Sequence, residues 1–149
     1  MSQLGEVAEV REVSSPILTP KDRLARWASL LEQQPQRRLN TLEEIEFVPR
    51  AERPLMRVDN SPLTVAFEDS ILRFHGLKSD NLGDAMSFFE ITEGDAHYIL
   101  CSCMNGSTMT GAQAARRVRS ISVSTMERLV LLGCTASVFA VPALILLLG

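Results

Sequence analysis

The chain has 149 residues and a formal net charge of −3 at pH 7. This length is enough for one small domain ahead of an apolar C-terminal stretch, and too short for two. The mild negative charge does not by itself indicate nucleic acid or any other partner. The three cysteines are typical of a reducing compartment rather than of a disulfide-bonded secreted domain.

Residues 1–16 mix Glu, Val, Ser and Gln without a sustained hydrophobic period. We therefore interpret them as a flexible tail. The stretch has neither a basic region nor an apolar run of the kind that a signal peptide needs.

The first helix is predicted to begin at Thr19-Pro20, because Thr is a good N-cap and Pro fits the first helical turn. Its buried face is predicted from residues at i, i+3, i+4 and i+7, and Gln34-Pro35 should end it. Those four residues are Leu24, Trp27, Ala28 and Leu31.

Two more helices are predicted in the next forty or so residues. The segment 41–44 matches a capping box and predicts a short helix through Phe47, followed by a loop over 48–60. Ser61-Pro62 opens the next helix, with Gly76 closing it in the left-handed conformation and Leu77 folding back on Leu72. The predicted buried face of that helix is Leu63, Phe67, Ile71 and Phe74.

Three helices are predicted after Gly76. Asn81 caps the first, Thr92 with Asp95 starts the second, and Thr110 with Gln113 makes a capping box for the third, a basic helix. The predicted buried positions of the first two are Leu82, Ala85, Met86 and Phe89, then Ala96, Ile99, Leu100 and Cys103. From Ser120 the sequence is either a short joint or a continuation of the helix.

No strand-like alternation of useful length is evident. The predicted fold is all-α: a small bundle of five or six short helices over residues 17–119, a basic juxtamembrane joint over 120–128, and one C-terminal transmembrane helix.

The transmembrane prediction rests on residues 129–149, which carry no charge and include twelve Leu, Ile, Val or Phe residues. As a helix this stretch would span roughly 31 Å, close to the ~30 Å hydrocarbon core of a bilayer. A helix that is apolar on every face would otherwise need a large domain around it. We therefore expect a membrane anchor here.

Four arginines, Arg116, Arg117, Arg119 and Arg128, precede this stretch and are opposed there only by Glu127. By the positive-inside rule they place the helical domain in the cytoplasm, in a single-pass, tail-anchored arrangement. They are predicted to contact the membrane surface. Thirteen of the fifteen basic residues are Arg, which favours a bacterial protein and its plasma membrane, although a eukaryotic tail-anchored protein fits the same pattern.

Residues 82–103 have the proportions of a helix-turn-helix, with a break at Glu90-Ile91-Thr92. The run FFEITEGDAHYIL is similar to the turn and recognition helix of bacterial helix-turn-helix regulators, which implies a membrane-tethered regulator as an alternative function. The six charged residues between Gly76 and Thr110 sum to −4. Since DNA affinity comes chiefly from Lys and Arg, nucleic acid is not the expected partner.

His97, Cys101 and Cys103 are the weak candidates for a metal site or a thiol sensor, a third possible function. His97 and Cys101 are one helical turn apart, so they could share a zinc ion. Cys103 lies about 200° from Cys101 around a helix, and a fourth ligand would have to be His75 or Asp95. We expect one buried cysteine (Cys103), one exposed cysteine and a surface histidine.

No catalytic motif is present in the sequence, and no cofactor is predicted. The acidic cluster Glu43, Glu44 and Glu46 is explained by the preference of helix starts for carboxylates. The main hypothesis is a non-enzymatic interaction or adaptor module that binds a protein partner at the cytoplasmic face of a membrane.

Overall fold

The computed structural model describes residues 16–102 and 106–122 of the chain. This part is mostly helical, as predicted, and includes a small two-stranded sheet and two single 3₁₀ turns, Ile45–Phe47 and Arg53–Leu55. The helices are α1 (Pro20–Glu32), α2 (Pro62–Glu68), α3 (Ser70–Phe74), α4 (Leu82–Phe89), α5 (Glu93–Leu100) and α6 (111–122), and the strands are β1 (Arg38–Asn40) and β2 (Thr108–Thr110).

Helix α1 lies at the centre of the core. Thr19 and Asp22 form its capping box, and all four predicted core residues are buried. Trp27 is fully buried; its indole N–H donates to the carbonyl of Pro62 at 2.9 Å. Its ring stacks on Phe89 with centroids 4.6 Å apart. The prediction that the single Trp is a core residue is confirmed.

The two strands are the feature that the sequence analysis missed. Strands β1 and β2 pair antiparallel with Leu39 opposite Met109, and both of these side chains are buried. Each strand has three residues and only one inward side chain, which is too short for a period of two to be recognised.

The predicted helix start at 41–44 is wrong. The Thr41 hydroxyl lies within hydrogen-bond distance of Ser107 instead of capping a helix, and Leu42 makes a parallel bridge to Cys101. Glu44 has no side-chain capping bond, and only one 3₁₀ turn follows it. The extended chain is held here by tertiary hydrogen bonds, which outweigh the local capping preference.

The long helix predicted after Ser61 is interrupted at Asp69, which is extended (φ −76°, ψ 121°) and separates α2 from α3. The break changes which side chains are buried. Leu63 is buried as predicted, but Ile71 and Phe74 are 42% and 80% exposed. The prediction of a single buried face across both helices is therefore wrong.

The remaining turns and caps agree with the sequence. Gly76 has φ +113°, and the Leu77 N–H donates to Leu72 O at 3.1 Å, which is the predicted helix ending. Asn81 caps α4 and Thr92 with Asp95 caps α5. Helix α5 ends at Leu100, earlier than predicted, because Cys101 turns into the bridge with Leu42.

Helix α6 runs alongside α1 in the opposite direction. At its start, the N–H groups of Gly111 and Ala112 donate to Arg37 and Pro35 just beyond the end of α1. At the other end of the described part, Ser122 lines a small cavity with Leu24 and Ala25 of α1. The chain is helical to residue 122, past the predicted limit of the domain at 119, and the buried residues are Ala114, Ala115, Val118 and Ile121.

The predicted anchor, residues 129–149, lies outside the described residues. Residues 1–15 of the predicted tail also lie outside them. Within 16–102 and 106–122, no helix has the length and apolar character needed to cross a bilayer.

Candidate binding grooves

Five of the eleven arginines in the described part of the chain are neutralised by carboxylates within it. Each bond joins a guanidinium to a carboxylate on a different element or loop, so these pairs hold the helices in place rather than forming a site. The pairs are Arg26–Asp69, Arg37–Glu68, Arg53–Glu93, Arg57–Asp80 and Arg119–Glu32.

Arg116 and Arg117 belong to the other six arginines, which have no carboxylate partner in the described part of the chain. Arg116 is exposed. Arg117 donates through Nη1 to the carbonyls of Tyr98 (3.0 Å) and Cys101 (3.3 Å), and its guanidinium lies 5.7 Å from the centroid of the Tyr98 ring. Neutral carbonyls and a ring position this guanidinium without neutralising its charge.

These two arginines line one open groove of about 450 Å³ between α5, α6 and the strands. We call it the arginine groove. Among the described residues, its lining contains two guanidinium groups, several hydroxyls and an amide, and no Asp or Glu. The other lining residues are Thr41, Tyr98, Ser102, Thr108, Met109 and Gln113.

The predicted cluster of membrane-facing arginines is divided in the structure. Arg119 turns to α1, where Nε and Nη2 donate to the Glu32 carboxylate at 2.6 and 2.7 Å. This pairing lowers the pKa of Glu32 and raises that of Arg119. Arg116 and Arg117 line the arginine groove, and Arg128 lies outside the described residues.

A second groove, of about 630 Å³, is more apolar. One wall is the segment from Asn40 to Glu43, and the other comes from the loop between Val48 and Val58. Its exposed edge carries Leu55, which is 74% exposed, and Phe47, next in sequence to the lining residue Val48, is 83% exposed. We call it the apolar groove; its apolar lining residues are Leu42, Val48, Leu55, Met56 and Val58.

The apolar groove has an acidic rim. Glu43 and Glu52 line it, both are exposed, and neither takes part in a salt bridge among the described residues. The two grooves share Thr41 as a lining residue, so they adjoin each other along the same stretch of chain. Neither groove is evident from the sequence, because hydrophobic periodicity reports single helices and strands. The arginine groove combines Thr41 with residues between 98 and 117, and the apolar groove combines two loop segments, 40–43 and 48–58, with Gly106.

Cys101 is buried, whereas the sequence analysis expected it to be the exposed cysteine. Its thiol donates to Glu43 O at 3.3 Å, and burial raises the pKa of the Cys101 thiol to about 11. Reactive thiols have a lowered pKa and solvent access, so Cys101 has the opposite properties. Cys103 lies outside the described residues.

His97 is half-buried on α5, and the Cys101 N–H donates to its backbone carbonyl. Among the described residues, no three His, Cys, Asp or Glu side chains lie close enough together to hold a metal ion. The structure therefore brings His97 and Cys101 near each other through the backbone, and it does not combine them with His75 or Asp95.

The segment predicted as a helix-turn-helix does form two helices, α4 and α5, with Glu90 in the left-handed conformation (φ 53°) between them. The start of α5 carries Glu93 and Asp95, and the Glu93 carboxylate pairs with Arg53. An acidic helix start presents carboxylates where a DNA-binding helix needs cations.

Comparison of the chain with protein-family models, with curated proteins and with solved structures finds no match.

Proposed function

We propose that the protein is a membrane-tethered interaction module that binds a protein segment in the apolar groove. The observation that carries the proposal is this groove with the exposed Leu55 in its lining, together with the exposed Phe47, which is next in sequence to the lining residue Val48. Large apolar side chains held in the open on an ordered domain are a common mark of protein–protein contact sites.

The charge of the rim favours a partner segment that combines apolar and basic residues. Glu43 and Glu52 supply negative charge beside the apolar lining, whereas Arg57, which also lines the groove, is paired with Asp80. Lys or Arg next to an apolar anchor in the partner would therefore be attracted. The same carboxylates would be repelled by an anionic membrane surface. We therefore assign the apolar groove to a protein rather than to lipid.

Tethering is proposed from the sequence of residues 129–149, as a transmembrane helix with the domain on the cytoplasmic side. Ser122, the last described residue of α6, is close to Leu24 and Ala25 near the start of α1. At the opposite end of α6, the Gly111 N–H donates to the carbonyl of Arg37, the residue just before β1.

The test is site-specific photocrosslinking in the cells that make the protein. A photoreactive residue at Leu55 should yield one discrete adduct in the membrane fraction, and Val48→Asp in the same chain should abolish it. A matched probe at Ser87, an exposed residue of α4 that lines neither groove, should yield none. Equal adducts from Leu55 and Ser87, or no adduct from either, would refute the proposal.

A further inference from the structure

We propose that the arginine groove binds the phosphate group of a phosphomonoester ligand. The inference is independent of the apolar groove, because it rests on the charge and the hydrogen-bond donors of a different set of residues. It concerns a small phosphorylated molecule or the phosphate headgroup of a lipid, which present the same chemistry.

The first feature of the arginine groove that favours a phosphate is its charge. Arg116 and Arg117 are adjacent, both line the groove, and no carboxylate from residues 16–102 or 106–122 lines it with them. Two uncompensated positive charges in one concave site attract an anion, and a phosphomonoester carries about −1.5 to −2 at pH 7.

The second feature is the fixed position of the Arg117 guanidinium. The two bonds from Arg117 Nη1 to the carbonyls of Tyr98 and Cys101 hold its guanidinium in place before any ligand arrives. The N–H groups on Nε and Nη2 then have no partner within the described part of the chain, and they suit the oxygens of a phosphate. A preorganised donor binds more tightly because its side-chain entropy is already lost.

The third feature is the number of hydrogen-bond donors in the arginine groove. Tyr98, Ser102, Thr108 and Gln113 add hydroxyl and amide groups around the two arginines. Phosphate offers three terminal oxygens to such a set, whereas a carboxylate offers two oxygens and a single negative charge, which would leave one guanidinium unneutralised. Thr41 contributes less, because its hydroxyl is already engaged with Ser107.

The experiment uses the full-length chain in an uncharged detergent, with glycerol 3-phosphate as the probe and isothermal titration calorimetry as the readout. We expect saturable binding, and binding of acetate at least about tenfold weaker. Arg116→Gln should weaken binding of glycerol 3-phosphate by about tenfold or more, the effect of losing one charge-assisted interaction. Because Arg116 is exposed, this variant should fold normally, which its thermal melt checks.

Two controls sharpen the test. Arg50→Gln removes another exposed arginine that lines neither groove, and should leave affinity within about twofold of the parent chain. Arg117→Lys keeps the charge but removes the planar fork, so it should weaken binding while leaving a measurable remainder.

A lipid arm separates the two sources of the phosphate. Micelles doped with phosphatidate carry the same glycerol phosphomonoester, and micelles doped with phosphatidylglycerol carry a phosphodiester with one charge. Tighter binding of phosphatidate than of free glycerol 3-phosphate assigns the groove to a lipid headgroup; equal affinity assigns it to a soluble ligand. Both results uphold the proposal.

Four results would overturn the proposal: no saturable binding, acetate binding as tightly as glycerol 3-phosphate, an Arg116→Gln variant with unchanged affinity, or an equal loss in Arg50→Gln. A phosphoserine peptide that bound at least tenfold more tightly than both glycerol 3-phosphate and phosphatidate would also overturn it, since the site would then belong to a phosphorylated protein.

Discussion

Arg26 and Asp69 join α1 to the junction between α2 and α3 through two parallel hydrogen bonds, Nε to Oδ1 at 2.9 Å and Nη2 to Oδ2 at 2.8 Å. Oδ1 of Asp69 also accepts from the Leu72 N–H at 2.8 Å and so caps α3. One carboxylate thereby starts a helix and fixes that helix to the centre of the core.

The first prediction concerns Asp69 and pH. The hydrogen bonds from Arg26 are the main reason that the pKa of Asp69 lies below its ordinary value. A carboxyl with a lowered folded-state pKa stabilises the fold above its unfolded-state pKa of about 3.9, and this contribution is lost as pH falls through the folded-state pKa.

Asp69→Asn should therefore lower the free energy of unfolding by about 2 kcal/mol at pH 7, from the loss of the charge-assisted bonds to Arg26, since Asn caps a helix about as well as Asp. The difference from the parent chain should shrink below pH 4. Urea unfolding at pH 7 and pH 3 measures both values. Asp59→Asn is the matched control, since Asp59 is 84% exposed, and it should change stability by less than about 0.5 kcal/mol. A difference for Asp69→Asn that is independent of pH would contradict the explanation.

The second prediction concerns the contact between the ends of α1 and α6. A Cβ at Gly111 would lie 2.8 Å from Leu31 O and closer still to Gln34 O. Backbone atoms cannot move aside as a flexible side chain can. Gly111→Ala should lower the free energy of unfolding by about 3 kcal/mol, as overpacking does elsewhere.

Gly94→Ala is the control for this helix substitution. Its nearest neighbour would be the Thr92 hydroxyl at 3.8 Å, which is ordinary contact. Because residue 94 lies within α5, Gly94→Ala should leave the free energy of unfolding unchanged or raise it by up to about 1 kcal/mol. Thermal denaturation of both variants tests the comparison, and equal melting temperatures would show that the close approach of Gly111 has no energetic consequence.

The third prediction concerns Cys101. Because burial raises the pKa of its thiol to about 11, the folded chain should alkylate very slowly at Cys101 at pH 8 and readily in 6 M guanidinium chloride. Peptide-resolved mass spectrometry after iodoacetamide treatment measures this. An alkylation rate in the folded chain equal to that in denaturant would disprove the burial of this thiol.

The raised pKa also predicts a loss of stability at alkaline pH. The folded state keeps the proton when the unfolded state has released it, so the stabilisation holds below the unfolded-state pKa of about 8.5 and decreases as pH rises towards 11. Cys101→Ala removes this titration. The parent chain should therefore lose more stability than Cys101→Ala between pH 8 and pH 10.5, measured by urea unfolding of each.

The fourth prediction concerns the proposed anchor. Phe139→Asp places a charge near the middle of residues 129–149 and should cost insertion about 3 kcal/mol. The protein should shift from the membrane to the soluble fraction without loss of the domain fold. Phe74→Asp adds the same charge on the domain surface, where Phe74 is 80% exposed, and should not change fractionation.

Protease added from each side of the membrane tests orientation. The domain should be cut only from the cytoplasmic side, and removal of residues 129–149 should release a soluble, folded domain. Recovery of the full-length parent chain in the soluble fraction would rule out the anchor, and digestion of the domain from outside intact cells would rule out the orientation.

Local chemistry in the sequence was sufficient to place most helices. The caps at Thr19, Asn81, Thr92 and Thr110 involve residues at most three apart, and each forms in the structure. The buried face of α1 is likewise a local pattern, since one turn of helix brings i, i+3 and i+4 together.

Tertiary structure decided the features that depend on distant residues. Thr41 has a sequence typical of a helix cap, yet it bonds Ser107 because β1 pairs with β2 across almost seventy residues. Phe74 follows the period of Leu63, yet it is exposed because Asp69 binds Arg26 and interrupts the helix.

The arginines show the same division. The sequence by itself determined that Arg116, Arg117 and Arg119 form a basic run ahead of an apolar stretch. Only the packing of α6 against α1 and α5 decided that Glu32 neutralises Arg119, while Arg116 and Arg117 line a groove to which the described part of the chain contributes no carboxylate. Neighbours in sequence diverge on a helix because each residue is rotated about 100° from the last, and what each side chain meets depends on elements far away in the chain.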